Sequence, residues 1–249
     1  MSKKNYPFIF IHGMLGFGQD EVINNYTPYF GMFSGSIVGM LKAEGKEAYA
    51  LTISSLGSAW DRACEIYAQI VGGTVDYGKV HSAKYGHSRF GRTYDRALVP
   101  EWGKLDEEGR RNKLHILGHS FGGATVRMFS QLMAFGAPEE VAGTDKGDIS
   151  PLFTGGKGDW IKSVTTIAGP HNGTTVMSAI GPLLPMLKCV TFFGFAGIMD
   201  NTPANRIYDM CLDHWGITSN PKERCNPLNM LKVRKILKAM KSKDNLYYD

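Results

Sequence analysis

Three groups of residues have the types and spacing that chemistry requires. The first is Gly118-His119-Ser120-Phe121-Gly122, led in by the apolar run Leu114–Leu117 and followed by an amphipathic stretch from about Gly122 to Phe135. A buried strand, a tight turn and a helix in that order present Ser120 as a nucleophile, with the N–H groups of the helix start beside it. The second is His12-Gly13-Met14-Leu15-Gly16, directly after the apolar Phe8–Ile11. A glycine-bearing loop there brings a further backbone donor to the same oxygen, so the expected oxyanion donors are the amides of Met14 and Phe121. His12 is expected to hold the loop. The third group is His81 and His87, six residues apart in a Gly-rich stretch, which with two carboxylates would make a tetrahedral N2O2 metal set. Each group also has a plainer reading. Ser120 would cap a helix after a tight turn, and His81 and His87 would be solvated loop histidines. Asp61 would complete a Ser58-x-x-Asp61 capping box.

Positioning such groups takes a rigid scaffold, and the pattern of apolar residues supplies one. Strands are expected at Phe8–Ile11, Ala48–Ile53, Leu114–Leu117 and Val164–Ala168. Helices are expected near Ser36–Ala43, closed by Gly45, and from Gly122 to Phe135. A further helix repeats Ala63, Ile66, Tyr67, Ile70 and Val71 on one face of a 3.6-residue period. Strands alternating with helices predict an α/β fold, a doubly wound, mostly parallel sheet covered on both faces. Residues 72–112 and 136–160 read as long irregular stretches, of the kind that are functional or tied down. At 249 residues the chain suits one domain over 1–249.

Composition narrows the function classes. A hydrophobic content of 43% with 20% charged residues is ordinary for a soluble globular protein. The net charge of +5 is local: residues 222–243 hold eight Lys/Arg against one Glu, and the rest of the chain is net negative. No nucleic-acid partner is expected from that distribution. Met230, Val233, Leu237 and Met240 fall at helical spacing there, with lysines and an arginine on the other faces, the pattern of a solvated surface helix packing its apolar stripe on the core, or else of a basic amphipathic helix that binds anionic lipid surfaces. The four cysteines form no CxxC. Cys64 reads as a small buried hydrophobe, and pairing of Cys211 with Cys225 stays open. No signal-peptide pattern precedes Phe8. Residues 176–199 are apolar, but Pro182, Pro185 and Lys188 argue against a transmembrane anchor.

With these residues in place the chain resembles the thermoalkalophilic and staphylococcal bacterial lipases, triacylglycerol hydrolases with an α/β-hydrolase fold. The resemblance is carried by Ser58–Tyr94, by Ser163–Ala168 with Pro170-His171, and by Leu212-Asp213-His214-Trp215-Gly216. It spans essentially the whole chain. It implies cleavage of acylglycerol esters at an oil–water interface through a Ser120 acyl-enzyme, in a secreted enzyme. It also implies a structural zinc held by Asp61, His81, His87 and Asp244, within a zinc-binding insertion at 72–112. A lid region is implied at 174–200. The chain departs from the family at Met14, where Phe is usual, at Gly118 and at Phe121, which bears on substrate preference more than on mechanism. His214 also stands where relatives carry another residue. Calcium, carried by full-length members, finds few of its ligands here, and no oligomeric state is implied. The family's triad acid and histidine lie on later segments, so the domain is expected to be C-terminally incomplete, with neither His171 nor His214 as the base. The rival from another class is a non-catalytic lipid-interface protein that keeps the fold and the zinc. Acyl transfer or polyester cleavage would keep the serine. A fluorophosphonate adduct on Ser120 separates the enzyme from the non-catalytic rival.

Overall fold

The computed structural model describes residues 5–173 and 207–216. Strand β1 (Phe8–Ile11) leads through the short helix α1 (Ile23–Tyr26) to helix α2 (Ile37–Ala43), which is N-capped by the Ser36 hydroxyl accepting from Gly39 N–H, and on to strand β2 (Ala48–Ala50). Helix α3 (Ala59–Val71), strand β3 (Gly73–Asp76), helix α4 (Lys79–Tyr85) and strand β4 (Phe90–Tyr94) follow. Strand β5 (Leu114–His119) runs into helix α5 (Phe121–Phe135), then helix α6 (Pro138–Gly143) and strand β6 (Ile161–Ile167).

Strands β2-β1-β5-β6 form one sheet in that order, and every pairing is parallel. Alternation along the strands sorts side chains to the two faces. Ile9, Ile11, Leu114 and Ile116 join a core with Ala63, Ile66 and Ile70 of α3 and Val126, Phe129 and Met133 of α5. Phe10, Ala48 and Ala50 point the other way and pack with Val38 of α2 and Phe30. Helices therefore pack on both faces of the sheet around β1 and β5, and the chain is doubly wound. From β1 it moves outward to β2, then crosses back to β5 on the far side of β1. That reversal opens a crevice at the carboxyl ends of β1 and β5, where such sheets place their sites. Both candidate loops leave the sheet there.

Several boundaries differ from those read in the sequence. β2 ends at Ala50, and β6 begins at Ile161 because pairing with β5 starts at Leu114. The stretch 72–112 is not irregular: it folds β3 and β4 into an antiparallel pair with α4 between them. Residues 136–160 hold α6 and two short 3-10 turns. Cys64 is buried, as expected. The lid segment, the basic helix and Cys225 lie outside the described residues.

Candidate active site and metal centre

Ser120 sits between β5 and α5 with φ 55° and ψ −126°, a left-handed conformation rare for a residue with a side chain. Its N–H donates to Ile167 O at 2.8 Å, and its carbonyl accepts from Gly123 N at 2.8 Å, so the turn is fixed from both sides. Glycine is required around it. A Cβ on Gly118 would stand 2.1 Å from Gly122 O, and one on Gly122 would stand 2.3 Å from Ile11 O. The loop after β1 closes over the same place: a Cβ on Gly13 would lie 2.9 Å from Ser120 Cβ. Met14, half-buried, follows that contact, and Phe121 is the first residue of α5, where an N–H has no intrahelical acceptor. The Phe121 side chain turns inward and packs with Tyr208, Met210 and Trp215.

Two residues that the sequence did not single out bind these loops together. The Tyr29 hydroxyl accepts from Gly13 N at 2.9 Å and shares a 2.7 Å hydrogen bond with His119 Nδ1, joining one loop to the other. Arg62, fully buried on α3, donates to His12 O and lies over the Phe121 ring at 5.1 Å. His12 is buried with Nδ1 2.8 Å from Gly13 O. Burial, with Arg62 beside it, lowers its imidazole to about 3, so it stays neutral. All seven histidines are among the described residues, and none is hydrogen-bonded to the Ser120 hydroxyl. His171 Nε2 lies 3.0 Å from Thr166 Oγ1, and His214 is buried beside Asp61.

Asp61, His81 and His87 come together some distance along the chain from one another, with donor atoms all within 4.8 Å. Asp61 is the N3 residue of α3 and belongs to a complete capping box with Ser58, so the structural role and the cluster coexist. Its Oδ1 stands 2.9 Å from His81 Nε2 and 3.7 Å from His87 Nε2. Ligands about 2.0–2.2 Å from a tetrahedral zinc stand roughly 3.3–3.6 Å apart, inside that range. His87 supplies the sharper test. Its Nδ1 lies 2.9 Å from the Ser88 carbonyl, which can only accept, so the proton is on Nδ1. The buried Nε2 lone pair then has no hydrogen-bond partner and faces a carboxylate oxygen. Two acceptors facing each other in a buried place suit a cation between them. Burial lowers His87 to about 4, partly opposed by Asp61. Burial would raise Asp61, but His214 and His81 beside it outweigh that and hold it well below the usual carboxylate range.

The cluster is braced from outside. Trp60 stacks on His81 with ring centroids 5.0 Å apart. α4 begins at Gly78 without a side-chain cap of its own, and buried Glu140 of α6 accepts from Val80 N and His81 N at 3.0 and 2.6 Å. Asp244, the fourth ligand implied by the resemblance, lies outside the described residues.

A strained serine elbow at the switch point of a doubly wound sheet defines the α/β-hydrolase class. Comparison with known proteins agrees. The chain belongs to the lipase-like C-terminal domain family, whose pattern it matches over residues 4–249. It is 37% identical to Lipase 2 of Staphylococcus aureus over 98% of its own length and 34% of that protein's. The solved structure of lipase 1 from Pelosinus fermentans is 38% identical and superposes with a TM-score of 0.72, over 98% of this chain and 59% of that one. Staphylococcus hyicus lipase superposes with a TM-score of 0.73 at 32% identity, over 98% and 60%. The chain thus spans about a third of the length of the curated relatives it matches.

Proposed function

We propose that the protein is a secreted carboxylic-ester hydrolase acting on acylglycerols at a lipid–water interface, with Ser120 as nucleophile. The strained Ser120 backbone at the sheet's switch point, with Gly13 against its Cβ, carries this reading. The Ser120 oxygen forms a bond to the acyl carbonyl carbon and gives up its proton to a base. The amides of Met14 and Phe121 hold the oxyanion, the alcohol leaves with a proton, and water releases the acid from the acyl-enzyme. Asp61, His81 and His87, with Asp244, would hold zinc. When bound, the ion would supply binding free energy that adds to that of folding, while these residues orient the loops around α3 and α4.

Replacing Ser120 with Ala in the intact protein should reduce ester turnover at least ~1,000-fold, as loss of a covalent nucleophile does. A fluorophosphonate should label Ser120 in the unsubstituted protein. Turnover by Ser120→Ala equal to that of the parent would overturn the assignment.

A further inference from the structure

His214 lies 127 positions or more from the other imidazoles of the cluster yet packs directly against them. It is 1% exposed, in a 3-10 turn of the segment 207–216, which is tied back by Ser88 N donating to the His214 carbonyl at 2.8 Å. Its ring centroid is 5.0 Å from that of His87 and 4.3 Å from that of Tyr77. Neither ring nitrogen has a hydrogen-bond partner among the described residues. One of them must carry a proton, and a buried donor left unmade is costly. The nearest carboxylate atom is specific: His214 Nε2 lies 3.7 Å from Asp61 Oδ2, not from the Oδ1 that faces His81 and His87. Oδ2 also accepts from Ser58 N at 3.2 Å.

We propose that His214 is a positioning residue of the metal centre. Its Nε2–H closes about 0.8 Å onto Asp61 Oδ2 to reach ordinary hydrogen-bond length, and so turns Oδ1 toward the ion. This rests on the metal reading above. Carboxylate ligands are held by such partners, and losing one weakens metal affinity about 10–100-fold. His214 donors do not join the set of atoms within 4.8 Å of one another, which separates it from the ligands. Glutamine places an amide N–H at similar reach and should substitute for it.

The test is zinc affinity of the intact protein by competition with a chromophoric chelator, cobalt absorption spectra, and X-ray absorption of the zinc form. Variants His214→Ala, His214→Gln and His81→Ala are compared, each checked for folding in chelator by near-ultraviolet circular dichroism. Expected are tight zinc binding by the parent, affinity lower by about 10–100-fold in His214→Ala, near-parent affinity and cobalt spectrum in His214→Gln, and loss of binding in His81→Ala. Parent and His81→Ala equally free of zinc would overturn the metal reading itself. With the parent binding zinc, unchanged affinity in His214→Ala would overturn the positioning role alone. So would equal weakening in the Ala and Gln variants. Three imidazoles counted at the zinc would make His214 a ligand and likewise overturn it.

Discussion

Ser120 holds a conformation that costs roughly 1–3 kcal/mol for a non-glycine residue, and the glycines around it leave no room for a Cβ. Gly118 and Gly122 are the tightest of them, and Gly13 is the one that stands against Ser120 itself. A methyl group there meets Ser120 Cβ and the Tyr29 hydroxyl, both at 2.9 Å, and cannot be absorbed without moving the loop. Gly13→Ala should therefore lower ester turnover about tenfold or more while costing ~1–3 kcal/mol of stability, the usual effect of overpacking. Parent-like kinetics in that variant would separate the loop from the site. His12 makes a second prediction at this scale. Its ordinary value is 6.5, and burial with Arg62 lowers it to about 3 in the folded chain. Protonation therefore favours unfolding: the stabilising contribution is complete above about pH 6.5 and is lost as pH falls toward 3. His12→Asn keeps an N–H for Gly13 O but does not titrate, so the loss of urea midpoint between pH 7 and pH 4 should be smaller in the variant. An identical loss would place the acid sensitivity elsewhere.

Among the elements, α3 serves both centres. Its first turn carries Asp61 to the metal cluster, and the next residue, Arg62, reaches His12 and the Phe121 ring. The Ser58 hydroxyl that accepts from Asp61 N sets where this helix starts. Ser58→Ala should cost about 1 kcal/mol. Denaturant unfolding in the presence of chelator would read the cap without the metal, and an unchanged midpoint would mean that the cap contributes nothing. The elements at 72–112 were hidden from the sequence for a physical reason. β3 and β4 bury few residues, and α4 buries only Ser82, so neither strand alternation nor a helical stripe is written there. What stabilises α4 at its start is Glu140, a residue 60 positions away from Val80.

Over the whole molecule, the cluster joins α3, α4, the turn at His87 and the segment 207–216, which also crosses to the first loop through Asp209 N donating to Glu21 Oε1 at 2.8 Å. An ion bound only by the folded state adds stability by mass action, about 2.7 kcal/mol at a hundred times its dissociation constant. Chelation should lower the melting temperature of the parent and leave that of His81→Ala unmoved. Equal melting of the parent with and without chelator would show that the cluster binds nothing structural.

The strand–elbow–helix around Ser120, the apolar faces of α3 and α5 and the cap at Ser58 are all legible in the sequence, because each depends on residues within a few positions and repeats with a period of two or 3.6. The approach of the loop at 12–16 to the elbow at 118–122 depends instead on β1 pairing with β5 across about a hundred residues. Tyr29, Arg62, Glu140 and His214 act through contacts 16 to 153 positions apart. A single polar side chain has no period, and its partner is set by where packing leaves a buried donor or acceptor to be met. For that reason the nucleophile could be read along the chain, while the residues that hold it and the metal cluster in place were decided by the tertiary structure.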